Sequence, residues 1–151
     1  MLPTLHARGD VVLLTPGPVR RGQLAVGDIV VARSPVNPRH TVCKRVAGLP
    51  GGRVDPLGRP HASSSSFSPS SSIPIPPGHV WLQGDNAANS TDSRAYGPVP
   101  LALVRGRVRW RVWPPGAVGR VDGGPGAAWA VQAYRSSRGG DKGDGQARPR
   151  Y

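Results

Sequence analysis

The sequence is poor in cysteine and lysine and has no glutamate, and these scarcities exclude several kinds of site. Cys43 is the single cysteine among 151 residues, which excludes an internal disulfide and a cysteine-cluster metal site. The four histidines show no metal-ligand spacing, so we expect neither a metal nor another cofactor. No apolar run approaches the roughly 18 to 20 residues that cross a bilayer. Within the predicted domain Lys44 is the only lysine.

The abundant residues favour strands and turns. Glycine and proline make up 21 and 18 of the 151 residues, which argues against long helices and for strands, turns and irregular segments. The net charge of +12 would admit nucleic acid or an anionic membrane as a partner. Because no aromatic-rich basic stripe accompanies that charge, we expect no nucleic-acid partner.

The chain divides into one domain and a tail. Residues 1–116 form the predicted domain, and the Gly/Arg-rich residues 117–151 form a predicted disordered tail. Within the domain, the Ser/Pro-rich segment 56–77 cannot bury enough apolar surface to order itself and is predicted to be a mobile insertion. The predicted strands are Asp10–Leu14, Gly27–Ala32, His40–Val46, His79–Gln83 and Val104–Val112.

The third strand gives Lys44 an unusual setting. Side chains alternate along a strand, so Lys44 shares a face with Val42 and Val46, while Cys43 and Arg45 point the other way. Desolvation on an apolar face would lower the pKa of the lysine. The alternative is a lysine whose stem packs while its ammonium group reaches water.

Two further segments admit a functional and a structural interpretation. Residues 84–99 are small, polar and turn-forming between two apolar segments, which fits either a site-bearing loop or an elaborate turn. In Val104–Val112, apolar residues alternate with arginines, which predicts a strand with one buried and one solvated face. An arginine face could also contact phosphates, although solvated faces are commoner.

Four motifs occur in an order that resembles a known family. They are Met1-Leu2-Pro3-Thr4-Leu5, Gly27-Asp28-Ile29-Val30, Lys44-Arg45-Val46-Ala47-Gly48-Leu49-Pro50-Gly51, and Gly84-Asp85-Asn86 continuing to Ser90-Thr91-Asp92-Ser93-Arg94. This set resembles the type I signal peptidases (peptidase S26), which are membrane-bound serine proteases with a Ser/Lys dyad. Gly97-Pro98-Val99-Pro100 and Trp110–Pro115 are similar to the mitochondrial inner membrane protease branch, and Arg94 favours its first subunit type.

The resemblance implies an all-β, antiparallel fold and roles for individual residues. Lys44 would be the general base, Ser90 would orient it, and Asp92 with Arg94 would form a supporting salt bridge. Shallow pockets for small side chains of the substrate would be lined by Met1, Leu2, Leu5, Val42 and Cys43.

The resemblance also places the nucleophile outside the printed sequence. In this family the serine directly precedes the methionine that is Met1 here, so the chain as printed is expected to be inactive, through either a late start or a truncation. The hydroxyls of Thr4, Ser34 and Ser90 are not predicted on an activated turn. A second departure is Gly51-Gly52, where the family usually has Gly-Asp.

Partners and location follow from the same resemblance. The implied partners are precursor proteins with cleavable presequences and a second protease subunit, and an upstream segment would anchor the protein in the membrane. The implied location is the mitochondrial inner membrane, on its intermembrane-space side, with a plastid or bacterial membrane as the alternative. A competing hypothesis is a non-catalytic subunit or relic whose β domain binds a partner.

Overall fold

A computed structural model describes residues 4–6, 9–55, 58, 72–86 and 90–121. The tail beyond Val121 and most of the Ser/Pro-rich segment, for which disorder and mobility were predicted, lie outside these residues. Met1 and Leu2 lie outside them as well. In the described part no helix is long and apolar enough to span a membrane.

The described residues form antiparallel sheet, which confirms the predicted all-β fold. The strands are β1 (Val11–Thr15), β2 (Ile29–Arg33), β3 (Thr41–Gly48), β4 (Arg53–Val54), β5 (Ile73–Pro74), β6 (His79–Gln83), β7 (Val99–Pro100), β8 (Val104–Trp113) and β9 (Gly119–Arg120). Two one-turn helices accompany them, α1 (Gly17–Arg20) and α2 (Ser93–Tyr96), with 3₁₀ turns at Leu101–Leu103 and Pro115–Ala117.

Seven of these strands form the main sheet. Its order is β1-β8-β2-β3-β6-β7, with β9 also paired to β8, and every pairing is antiparallel. The β-branched residues of β2 and β3 fit the pleated, buried centre of the sheet. β3 is therefore held on both edges, by β2 and by β6.

Apolar side chains collect in three clusters around this sheet. The first core contains Leu24, Val30, Ala32, Val46, Val80, Leu82, Val99 and Val104. The second contains Ala47, Val54, Ile75 and Trp81, and the third contains Leu5, Ile29 and Val108. The first and third cores receive opposite faces of β3, because Val42 packs on the first and Cys43 on the third.

The boundaries predicted for the insertion and the domain need correction. Residues 72–77 are described, and β5 pairs with β4 in a separate two-stranded sheet that places the buried Ile75 in the second core. Ile73 and Ile75 supply apolar burial at the C-terminal end of this segment, which its overall Ser/Pro composition did not indicate. The domain also continues past residue 116, because β9 pairs with β8.

The prediction for β8 was correct for its first half and wrong for its second. Val104 and Val108 are buried, but Trp110 is 44% exposed and Val112 is 45% exposed. The register pairs Leu14 with Val108 and Leu13 with Trp110, so Arg109 is bulged. A β-bulge breaks the period-two alternation and re-aims the residues that follow.

Candidate active site

Strand pairing brings the start of the loop to Lys44. Arg45 of β3 pairs with Gln83 of β6, so the next residue, Gly84, arrives beside Lys44. On its other edge, Lys44 pairs with the fully buried Val30 of β2. Lys44 itself is partly buried.

Lys44 and Ser90 form the centre of the candidate site. The Nζ of Lys44 donates a hydrogen bond to the Oγ of Ser90 at 2.6 Å. Burial lowers the pKa of Lys44 below its ordinary value, and nearby Arg94 lowers it further, although the carboxylate of Asp92 opposes the shift. A lysine with a lowered pKa has a larger neutral fraction, which is the form that accepts a proton.

Gly84 makes the close approach of loop and strand possible. A methyl group on Gly84 would overlap the Oγ of Ser90 and lie 3.4 Å from the Nζ of Lys44. The site therefore needs a residue without a side chain here, because any β-carbon would displace Ser90.

Asp92 braces the loop from inside. Its carboxylate accepts hydrogen bonds from the backbone N–H of Gly84 at 3.0 Å and from the Nε and Nη2 of Arg94 at 2.9 and 2.8 Å. It also caps α2 by accepting from the backbone N–H of Arg94. Burial alone would raise the pKa of Asp92, but these hydrogen bonds outweigh it and hold the pKa below its usual value. The ion pair implied by the resemblance is present.

Ser93 is a site-supporting residue that sequence reasoning missed. Its hydroxyl is buried and accepts a hydrogen bond from the backbone N–H of Leu82 at 2.9 Å. This bond ties the returning arm of the loop to β6. The only signal in the sequence was its place between Asp92 and Arg94 in the polar loop.

A second polar network, also missed, lies on the opposite face of β3. The side chain of Arg45 is 0% exposed and that of Asp85 is 1% exposed, and they form two hydrogen bonds of 2.8 Å. The hydroxyl of Thr4 donates to Asp85 at 2.5 Å and accepts from Arg45 at 3.2 Å. In the sequence, Arg45 and Asp85 only adjoin Lys44 and Gly84, and nothing local indicates that they meet each other or Thr4.

The residues assigned to substrate pockets do not line one surface. Leu5 is only 5% exposed and packs in the third core beside the partly buried Cys43, whereas Val42 packs on the first core. Val42 and Cys43 thus point to opposite faces of β3. Burial raises the pKa of the Cys43 thiol to about 11, so at neutral pH it is protonated and a poor nucleophile.

The hydroxyl groups of Thr4 and Ser34, like that of Ser90, already form hydrogen bonds. Thr4 is held between two charged groups, and Ser34 accepts a hydrogen bond from the backbone N–H of Asn37 in an exposed turn. Among the described residues, no three His, Cys, Asp or Glu side chains are grouped so that they could hold a metal ion. The chemistry that this geometry supports is proton transfer at Lys44.

Comparisons with known proteins agree with the sequence motifs. The family described as signal peptidase, peptidase S26, matches residues 1–59 and 55–113. The mitochondrial ATP-independent inner membrane protease subunit 1a of Arabidopsis thaliana is 46% identical over 115 residues, covering 76% of this chain and 66% of that protein. The human mitochondrial inner membrane protease subunit 1 is 51% identical over 88 residues, covering 58% of this chain and 49% of that protein.

A solved structure is also similar. A signal peptidase I from Enterococcus faecalis shares 28% identity and a TM-score of 0.42, covering 56% of this chain and 95% of that one. The chain spans about half to two-thirds of the length of the two mitochondrial relatives, 49% and 66%. The family match extends over all four motifs. The chain therefore belongs to the signal peptidase family, peptidase S26.

Proposed function

We propose that this chain is the catalytic domain of a signal-peptidase-type serine endopeptidase that removes presequences at the mitochondrial inner membrane. The observation that supports it best is the 2.6 Å hydrogen bond between Lys44 and Ser90 in a half-buried, apolar setting. A lysine acts as a general base near neutral pH only when its surroundings disfavour the ammonium form. The partial burial of Lys44 and its hydrogen bond to Ser90 support this role.

The proposed mechanism uses a serine directly before Met1 as the nucleophile. Neutral Lys44 takes the proton from that hydroxyl while its oxygen attacks the scissile carbonyl, and the protonated lysine then gives the proton to the leaving amine. Ser90 fixes the direction of the Lys44 amine, and Asp92 with Arg94 holds the loop that carries Ser90. Water completes the cycle by hydrolysing the acyl-enzyme with Lys44 again as the base.

Substrate contacts, location and partners are part of the same proposal. By the resemblance, Met1 and Leu2 would contact the small residues that precede the cleavage point, whereas Leu5 is buried and Val42 and Cys43 point to opposite faces of β3. The names of the relatives place them at the mitochondrial inner membrane and describe them as protease subunits. By that likeness we assign this protein to the same membrane, facing the intermembrane space, with precursor proteins and a second subunit as partners.

The deciding experiment uses the protein carrying a serine directly before Met1, assayed on a peptide with small residues before the cleavage point. We expect cleavage, and a loss of about 10³-fold or more when that serine is alanine or when Lys44 is methionine. Ser90→Ala should lose about 10- to 100-fold, because the lysine remains but is no longer oriented. If Lys44→Met cleaves as well as the parent, the dyad assignment is wrong.

The same experiment separates the competing hypothesis. Under that hypothesis, the protein with a serine before Met1 would fold and cleave no peptide alone, yet raise the peptidase activity of a second subunit when the two are mixed. That result would identify a non-catalytic, partner-binding subunit instead. Reading the coding sequence upstream of the Met1 codon provides an independent check, because the active enzyme requires a serine codon there.

A further inference from the structure

The buried network opposite Lys44 connects three separate parts of the chain. Arg45 lies on β3, Asp85 is the second residue of the loop after β6, and Thr4 belongs to the N-terminal segment. Thr4 and Asp85 are 81 positions apart, and Arg45 and Asp85 are 40 apart. These are therefore tertiary contacts with no role in forming local structure.

Every polar group at the centre of this network has a partner. The Arg45 guanidinium donates to both Asp85 oxygens and, at 2.8 Å, to the backbone carbonyl of Gly27. The Thr4 hydroxyl donates to the carboxylate and accepts from the guanidinium, so it uses both of its hydrogen-bonding capacities. An ionised pair surrounded in this way orients a hydroxyl strongly, because bidentate Arg–carboxylate bonds have a fixed, planar geometry.

The network coincides with the point where the N-terminal segment is tied to the fold. Leu5 is buried in the third core, and the carbonyl of Thr4 accepts a bond of 3.5 Å from the Nη1 of Arg111 on β8. Asp85 directly follows Gly84, which contacts the Lys44–Ser90 pair, and Arg45 directly follows Lys44. The same two pieces of backbone thus hold the base on one face and Thr4 on the other.

We propose that Arg45 and Asp85 are positioning residues that, through Thr4, fix the N-terminal segment relative to Lys44. This inference rests on the proposed function, which places the nucleophile directly before Met1. That position is four residues before Thr4, a span of at most roughly 14 Å for an extended chain. Fixing Thr4 in two hydrogen bonds therefore restricts where the nucleophile can lie, and small displacements between nucleophile and base reduce rates strongly.

An apolar replacement of the ion pair could hold β3 and the loop together, but it could not hold the hydroxyl of Thr4. Buried ion pairs often add little net stability compared with apolar residues of similar volume, because desolvation offsets their attraction. The specific effect of this pair is the geometry it imposes on a third residue. A substitution at Thr4 therefore tests the positioning role without removing the ion pair.

The test compares Thr4→Val, which removes the hydroxyl at nearly constant shape, with Thr4→Ser, which keeps it. Thr41→Val is the matched control, because Thr41 is an exposed threonine at the start of β3. In the protein with a serine before Met1, Thr4→Val should lower kcat about tenfold or more with KM little changed. Thr4→Ser should restore kcat, and Thr41→Val should leave it unchanged.

A second measurement does not depend on activity. Met1 is the only methionine, so methyl-labelled methionine gives a single NMR signal from the N-terminal segment of the 151-residue chain. Thr4→Val should move and sharpen that signal toward its value in urea, while Thr4→Ser and Thr41→Val leave it in place. The pKa of Lys44 should be the same in all these proteins.

The outcomes are distinguishable. If the parent cleaves no peptide, the proposed function fails, but the methionine signal still decides whether Thr4 holds the segment. If Thr4→Val keeps full kcat and an unchanged signal, or lowers kcat by shifting the pKa of Lys44, the positioning role is overturned.

Discussion

The amine of Lys44 and the hydroxyl of Ser90 lie 2.6 Å apart although 46 positions separate them in the sequence. Lys44 is fixed by strand pairing on both sides, whereas Ser90 belongs to a loop fixed by side chains. Asp92 holds both ends of that loop, because it bonds Gly84 on the outgoing arm and Arg94 on the returning arm. The position of Lys44 is thus fixed by the sheet, and the position of Ser90 is fixed by the buried carboxylate of Asp92.

We predict that Lys44 titrates at a lower pH in the folded protein than in the unfolded one. The cause is burial, reinforced by Arg94 and opposed by Asp92. The chain has two lysines, so reductive methylation with a ¹³C label gives two side-chain signals to follow by NMR. Lys142 serves as the reference, and titrating the same sample in urea gives the unfolded value. Coinciding curves for Lys44 in the two states would contradict the lowered pKa.

The same shift predicts how stability depends on pH. The unfolded state binds more protons at Lys44 than the folded state, so unfolding free energy rises with pH between the lowered pKa and about 10.5. Below that window the unfavourable contribution is fully present, and above it the contribution disappears. Urea unfolding of the parent and Lys44→Met across this range should give a difference that changes with pH. A pH-independent difference would show that the charge of Lys44 is not penalised.

Replacing Asp92 should destabilise the protein more than replacing Asp28, whose side chain is partly exposed. Asp92→Asn keeps the shape but weakens the bonds to Gly84 and Arg94, and we expect a loss of about 2 kcal/mol in unfolding free energy. Asp28→Asn is the matched control, because Asp28 pairs with Arg107 at 3.1 Å with both side chains partly exposed, and it should cost about 1 kcal/mol or less.

Acid should remove the contribution of Asp92. Because its folded pKa lies below the ordinary 3.8, the stabilisation is fully present above pH 3.8 and is lost as the pH falls through the lowered value. The two mutant proteins and the parent should therefore be compared by urea unfolding at neutral and acidic pH. Equal losses of unfolding free energy for Asp92→Asn and Asp28→Asn at neutral pH would rule out a special role for the buried Asp92 carboxylate.

A methyl group at Gly84 should break the Lys44–Ser90 hydrogen bond. Gly84→Ala forces Ser90 away, so the pKa of Lys44 should change and, in the protein bearing the serine, peptide cleavage should fall about tenfold or more. Gly116→Ala is the control, because a β-carbon there meets no atom within 4 Å. The labelled-lysine spectrum and the cleavage rate provide the two measurements. Parent-like values of both for Gly84→Ala would mean that the loop accommodates the methyl group.

The sequence allowed much of the centre of the site to be predicted. Period-two alternation placed Lys44 with Val42 and Val46, because the centre of a buried sheet follows that rule closely. The motif resemblance then connected Lys44 with Ser90, Asp92 and Arg94. These residues lie on elements whose local pattern is strong, namely a β-branched strand and a polar loop.

The parts that could not be predicted depend on contacts between distant segments. Alternation put Arg45 opposite Lys44, but nothing local indicated that Thr4 and Asp85 would meet it there. The bulge at Arg109, which exposes Trp110, likewise arises from the pairing of β8 with β1. Ile75 was hidden inside a segment whose overall composition suggested disorder.

The adjacency of Lys44 and Arg45 limits how this strand can change. Their side chains serve different partners on opposite faces, so inserting or deleting one residue in β3 before them would exchange the faces. The guanidinium would then meet Ser90 and the amine would meet Asp85, and both hydrogen-bond networks would be lost together. The length and register of β3 before Lys44 are therefore constrained.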